Sequence, residues 1–322
     1  MKRVKKIGLF SCIKNEGPFI LEWVAYHINS GFSAIVVYSN DCTDGSAELL
    51  DALADNGVIH HHAQDLKPGQ TPQFAAAEKA YQNTELQSAD WLMWMDTDEF
   101  LFCNNEGNSV LQLAEKASEV SDGVAVNWLN FGDNGFTQWE PGLVTQRFLK
   151  RGPDNNSRHA TFKTLFKRSD SVRGFGLHRP HVHGDFQEQG KRFVNAAGNP
   201  MPATMYRSGK RMRHGLGAVP PEAIAHDWAA ICHYAVKTKD SFLLKKLRGQ
   251  GTKPVDADDR DFRFQDRYWR VYNQNAVLDD RMIAQSEKLM QQIKELAALP
   301  GVAAAHDNCL RIYRARLDGL VN

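Results

Sequence analysis

Ala89-Asp90-Trp91-Leu92-Met93-Trp94-Met95-Asp96-Thr97-Asp98-Glu99-Phe100-Leu101-Phe102 is the stretch that sets the architecture. Trp91 to Met95 is a short, fully apolar, aromatic-rich run between polar residues, the pattern of a central strand buried on both faces. It stops on Asp96, Asp98 and Glu99, which places these acids where a strand reaches the carboxyl edge of a parallel sheet and where open α/β sheets bind ligands. In extended backbone Asp96 and Asp98 point to the same side. Two hard oxygen ligands facing one way suit Mg²⁺ or Mn²⁺, with the remaining positions left to water and phosphate oxygens. A solvated acidic turn is the competing reading, and it is weakened by the apolar residues on both sides of the motif.

Toward the N-terminus, Ile7 to Ile13 reads as a buried strand ending in Lys14-Asn15-Glu16-Gly17-Pro18. Glu22 to Asn29 has helical apolar spacing stopped by Gly31. Ala34 to Tyr38 is a second β-branched strand, then a polar loop containing Asp41 and Asp44 leads into a helix over Ala47 to Leu53. This alternation predicts a mostly parallel α/β sheet flanked by helices. Asp41 and Asp44 would then share a crevice with Asp96 and Asp98, either bonding a nucleoside or serving as turn and N-cap groups. Val58 to His62 predicts a third strand. His60, His61 and His62 cannot converge on one ion there, because neighbours on a strand face opposite sides.

Thr71 to Ser88 predicts one helix into the Trp91 strand. Beyond the acidic motif, a helix over Ser109 to Ser121 and a strand over Gly123 to Leu129 are expected. Thr161 to Arg168 and Leu177 to His183 follow as extended segments among many basic residues. The Gly190 to Pro221 segment is loop-rich, with six Lys or Arg residues. Trp228 to Val236 predicts a strand, Ser241 to Arg248 a helix, and Asp280 to Leu299 and Val302 to Leu317 two amphipathic helices.

The chain has 322 residues and a formal net charge of +1, enough length for a substantial core and no basic surplus of the kind a dedicated nucleic-acid binder carries. Five scattered cysteines do not form a disulfide framework. No apolar run approaches the ~20 residues needed to span a bilayer. The apolar run after the basic Lys2 to Lys6 is broken at Lys14, too early for a signal peptide. A cytoplasmic enzyme is expected, with peripheral membrane contact through that basic segment left open.

Five blocks in order resemble a known family: Ile13-Lys14-Asn15-Glu16; Glu22-Trp23-Val24-Ala25-Tyr26-His27; Tyr38 through Ser46; Trp94-Met95-Asp96-Thr97-Asp98-Glu99-Phe100; and His233-Tyr234-Ala235-Val236-Lys237-Thr238, followed by Phe242, Lys245 and Arg248-Gly249. Over roughly residues 7 to 250 they resemble the family-2-like glycosyltransferases, in the branch that looks like the family-92 galactosyltransferases. The resemblance implies a GT-A-type, Rossmann-like domain over residues 1–250, with a nucleotide-binding part to about 105 and an acceptor-side part beyond it. Residues 251–322 are left as a C-terminal helical extension. It also implies a UDP-sugar donor, a glycan or lipid-linked acceptor, and Mn²⁺ or Mg²⁺ held by Asp96, Asp98 and the late histidine His233. Asn15, Glu16, Asp41, Asp44, Lys163, His178 and Lys237 fall at donor-binding positions. Cys232 replaces the more usual Asn, and Thr238 replaces Ser while keeping the hydroxyl.

Sugar transfer needs stabilisation of the departing diphosphate and a base at the acceptor hydroxyl. Asp185, Glu188, Asp133 and Glu99 are the candidate carboxylates, with Asp185 first for its distance downstream of the acidic motif. Trp128 and Trp139 could stack on an acceptor sugar or pack in the core. Two rival readings remain: a nucleotidyltransferase acting on a sugar phosphate, for which Lys14 to Pro18 makes a poor triphosphate loop, and a catalytically silent sugar-nucleotide-binding subunit.

Overall fold

The computed structural model describes residues 4–202, 218–255 and 266–321. In chain order the elements are β1 (Ile7–Ile13), α1 (Gly17–Asn29), β2 (Ala34–Ser39), α2 (Ser46–Asp55), β3 (His60–Ala63), α3 (Pro72–Tyr81), α4 (Thr84–Gln87), β4 (Trp91–Trp94), β5 (Glu99–Cys103), α5 (Val110–Ser118), β6 (Gly123–Asn130) and α6 (Val144–Arg147). Then follow β7 (Lys150–Arg151), β8 (Phe162–Lys167), β9 (Val172–Gly174), β10 (His181–Val182), β11 (Phe193–Asn195), β12 (Ala229–His233), α7 (Lys239–Arg248), α8 (Asp266–Tyr272), β13 (Val277–Leu278), α9 (Ser286–Ala297) and α10 (Val302–Val321).

Strand order in the main sheet is β3-β2-β1-β4-β8-β6-β12-β5, with β11 also on β6. β1 pairs in parallel with β2 and β4, and β2 with β3. β8 enters antiparallel between β4 and β6, and β5 runs antiparallel to β12. The result is a mixed α/β sheet, mostly parallel. Alternation along β1 and β4 explains why both faces are covered. Leu9, Trp91 and Met93 pack into a core shared with α1, α2, α5, α9 and α10, whereas Phe10, Leu92 and Trp94 pack into a second core under α3, α4 and β9. Helix α1 is buried from Gly17 to His27, because it lies between the sheet and α9 and α10.

The structure differs from sequence expectation at several joints. The helix predicted over Thr71 to Ser88 breaks at Asn83, whose side-chain oxygen accepts the backbone N–H groups of Glu85 at 2.9 Å and Leu86 at 3.3 Å and starts a new turn. Phe100 to Phe102 belongs to β5, an antiparallel strand that the sequence reading left unassigned. Only His181–Val182 of the Leu177 to His183 segment joins a ladder. β3 begins at His60 rather than Val58. Part of the Gly190 to Pro221 segment, residues 203–217, lies outside the described residues. The predicted C-terminal helices are α9 and α10, and the same segment adds β13, antiparallel to β7. Among the described residues no helix is long and apolar enough to cross a membrane.

Candidate active site

A cleft of about 590 Å³ opens at the carboxyl edge of β1, β2 and β4. Its floor holds Asp96 and Asp98, and its walls include Lys14, Asn40, Gln73, Trp128, His178, His233, Lys245 and Arg248. The turn after β4 is fixed from beneath. Trp23 donates its indole N–H to the carbonyls of Asp96 and Glu99, both at 3.1 Å. The backbone N–H of Asp96 donates to Glu99 Oε2 at 2.9 Å.

Two cations serve the three acids of the motif. Lys163, fully buried on β8, places Nζ 3.1 Å from Asp96 Oδ2 and 3.5 Å from Glu99 Oε2. Burial works to deprotonate Lys163, yet Asp96 and Glu99 outweigh it and hold the ammonium form. Glu99 itself is driven well above the usual carboxylate range by burial and the neighbouring acids, against the pull of Lys163. Asp98 Oδ2 accepts from Lys245 Nζ at 2.7 Å. Burial raises the Asp98 pKa, but Lys245, His233 and Lys237 together hold it far below the ordinary value.

His233 closes the arrangement. It ends β12, and its Nδ1–H donates to Asn130 Oδ1 at 2.9 Å, which leaves Nε2 as the lone-pair nitrogen. That nitrogen faces Asp98 Oδ1 at 3.7 Å. Burial drops the His233 pKa to about 4, so at neutral pH two electron-pair donors face each other. Such a pair suits a divalent cation seated between them, with the Asn130 contact fixing the imidazole as an outer-shell partner does. Among the described residues no three His, Cys, Asp or Glu side chains come together as a ready-made metal site. Asp96 shares the cleft, with its carboxylate oriented on Lys163 and, through Oδ1, on Gln73 Nε2 at 3.4 Å.

The remaining predicted site residues divide by position. Glu16 lines the cleft and is ion-paired with Arg248. His178 lines it too, its Nδ1–H donating to the Phe162 carbonyl at 2.9 Å. Asn15 and Asp44 do not line it: Asn15 Oδ1 accepts from Thr43 N at 2.8 Å, and Asp44 accepts from Gly17 N and Ser46 N, both at 3.0 Å. Asp41 is exposed, 3.8 Å from Lys14. Lys237 lines a second cavity beside the cleft. Asp185 is exposed, bonded by Gln189 at 2.7 Å, and outside the cleft, while Glu99 is completely buried beneath it. Asp133 is occupied in docking a later loop, accepting from Asn273 at 2.8 Å and Asn275 at 2.9 Å. Sequence reasoning left Lys245 and Arg248 out of the site. Their i, i+3 spacing on α7 puts both on one helix face and was the available signal.

A family model described as glycosyltransferase family 92 matches residues 9–189. The chain belongs to glycosyltransferase family 92. The matched family-92 region contains Asp96, Asp98, Lys163 and His178 and ends before His233, Lys245 and Arg248. A glycosyltransferase family 92 protein of Oryza sativa subsp. japonica is 31% identical over 276 residues, covering 83% of this chain and 43% of the relative. One of Ricinus communis is 26% identical over 161 residues, covering 45% of this chain and 27% of the relative. The chain therefore spans less than half the length of these curated family-92 relatives. Among solved structures, TarS 1-349 of S. aureus has a TM-score of 0.38 at 11% identity, covering 98% of this chain and 92% of that chain. Glucosyl-3-phosphoglycerate synthase from Mycobacterium tuberculosis, in complex with Mn²⁺, UDP-glucose and phosphoglyceric acid, has a TM-score of 0.27 at 15% identity, covering 38% and 44%.

Proposed function

We propose that the chain moves a sugar from a nucleotide-diphosphate donor, UDP-linked, to a hydroxyl of a glycan or lipid-linked acceptor, with inversion and with the help of Mn²⁺ or Mg²⁺. The observation that carries this reading is the buried His233 Nε2 set 3.7 Å from Asp98 Oδ1, inside a cleft lined by Lys245 and Arg248 with Lys163 beneath it. When bound, a divalent cation there supplies Lewis-acid screening of the charge that grows on the departing diphosphate.

The chain's own residues bind and orient the donor, and the proton of the acceptor hydroxyl leaves with a base outside the carboxylates named above. Lys245 and Arg248 present two cations from one face of α7 to the diphosphate. Lys163 holds Asp96 in place and keeps the buried Glu99 from facing Asp96 unopposed. Lys14, Asn40 and Gln73, at the ends of β1 and β2 and the start of α3, form the nucleoside end of the cleft. The strand order supports this division, with the nucleoside proposed over the first strands and the phosphates over β4 and β12.

Incubation with UDP-, GDP- and CDP-sugars, with and without Mn²⁺, tests the reading by product analysis. Release of a nucleoside diphosphate, dependent on Mn²⁺ and lost in Asp96→Ala with the fold intact, is expected. Full turnover in Asp96→Ala would remove that residue from the site. Pyrophosphate release would mean nucleotidyl transfer, and binding without turnover a silent subunit.

A further inference from the structure

Beside the donor cleft, across the Glu16–Arg248 ion pair, lies a second cavity of about 400 Å³ between the start of α1, the loop before α2, and helices α7 and α10. Lys237 stands in its wall. The residue is only 5% exposed, yet its ammonium makes no hydrogen bond or ion pair to a described residue and lies 4.3 Å from the Phe19 ring. The carboxylates that act on it at longer range are already engaged: Glu16 by Arg248, Asp98 by Lys245, and Glu22 by the Val144 and Thr145 N–H groups and the Thr145 hydroxyl. A desolvated cation without a counterion is costly.

Two further observations point the same way. Lys237 sits at φ 53°, a left-handed conformation that a non-glycine residue adopts at an energetic cost and that concentrates at ligand sites. Arg316 of α10, in the same wall, donates only to the carbonyl and hydroxyl of Thr43, so its charge also lacks a carboxylate among the described residues. Phe19, Leu244 and Tyr313 give the cavity an apolar wall, and Leu247, 72% exposed, stands at its rim; the two carboxylates that also line it are engaged, Glu16 by Arg248 and Asp44 by the Gly17 and Ser46 N–H groups.

We infer that this cavity is an anion site separate from the donor cleft, which takes a phosphate monoester carrying an apolar chain or ring, the phosphate on Lys237 and Arg316 and the apolar body on Phe19, Leu244 and Tyr313. Charge-assisted bonds from the buried Lys237 and the partly exposed Arg316 supply the anchor. Burial of the tail supplies the preference for an amphiphile over a bare anion. Because Arg248 and Lys245 line both spaces, an occupant here touches the residues that frame the donor cleft.

Dodecyl phosphate, below its micelle concentration, and inorganic phosphate are the probes, titrated into the full chain by calorimetry and followed by thermal shift. Dodecyl phosphate is expected to bind and to raise the melting temperature. Lys237→Met is expected to weaken it about tenfold or more, since one charge-assisted contact is lost, while melting no lower than wild type. Asp96→Asn, in the donor cleft, should bind the probe as wild type does. Equal binding of dodecyl phosphate by Lys237→Met, equal loss in Asp96→Asn, or no binding to wild type would each overturn the site. Inorganic phosphate binding as tightly as dodecyl phosphate would overturn the amphiphile and leave a free phosphate as the ligand.

Discussion

Removing the Lys245 ammonium, as Lys245→Met, isolates the charge balance of the cleft. Lys245 Nζ lies 2.7 Å from Asp98 Oδ2 and 2.7 Å from the Ala235 carbonyl, and the Asp98 side chain is only 10% exposed. At an effective dielectric of about 20, a unit pair at that separation interacts by roughly 6 kcal/mol before desolvation is counted. Breaking a buried pair by deleting one partner costs about 3–5 kcal/mol, because the surviving carboxylate is stranded. With an unfolding entropy of about 2.1 cal/mol/K per residue, a chain of this size should lose about 4–7 °C in melting temperature at pH 7. Two signatures separate this from generic loss of packing. Mn²⁺ should stabilise the variant more than the wild type, because a cation at Asp98 restores the missing charge. The deficit should also shrink as pH falls: Lys245 is one of the groups that lower the His233 pKa, so without it His233 takes up a proton at higher pH and pairs with Asp98. Differential scanning calorimetry over pH 4–8 with and without Mn²⁺ is the assay. A melting temperature within about 1 °C of wild type, unresponsive to Mn²⁺, would refute the reasoning.

Other expectations follow from buried groups away from the cleft. His27 is completely buried and its pKa is lowered to about 3 by desolvation, so unfolding takes up a proton below the unfolded value near 6.5, and stability falls as pH drops from about 6.5 toward 3. His27→Leu should flatten the slope of stability against pH in that window by up to about 1.4 kcal/mol per pH unit, read from urea melts at several pH values. Glu22 accepts from Val144 N at 2.7 Å, Thr145 N at 2.9 Å and Thr145 Oγ1 at 2.7 Å; Glu22→Ala leaves those buried donors bare and should cost about 2–6 kcal/mol in denaturant melts. A Cβ on Gly132 would come 2.6 Å from the Gln274 carbonyl, so Gly132→Ala should undock the loop that Asp133 holds, seen as faster amide exchange at Asn273 and Asn275.

What the sequence disclosed was governed by locality. Trp91 to Asp98 carried much of its meaning in eight adjacent residues: the strand and its double burial stand as that pattern implies, but the acidic end is a turn, with Glu99 N donating to the Asp96 carbonyl, and not the extended backbone that would set Asp96 and Asp98 on one side. The α/β alternation before it was equally local. Lys163 was placed in the site by resemblance, but its partner could not be read, because β8 lies 67 positions beyond Asp96 and enters the sheet antiparallel. Asp185 was ranked by distance along the chain, and the β9–β10 hairpin carries it away from the cleft instead. Asn15 and Asp44 show the turn and capping chemistry that their residue types supply wherever they occur. Lys237 illustrates a different limit: its type and motif were legible, but the left-handed turn that sets its position was not.

The bracing of the first two loops by α10 carries a consequence for how the protein is made. Cys309 packs against Gly17 and Gly45, and Arg316 reaches Thr43 across 273 positions of chain. The loops at the ends of β1 and β2 emerge from the ribosome early, but their support, α10, is synthesised after every strand of the sheet. A nascent chain arrested before residue 302 has every acidic residue of the cleft and lacks the helix that holds the cleft's rim in register. Synthesis of α10, rather than arrival of the Asp-x-Asp motif, is then the step at which the cleft takes its final shape.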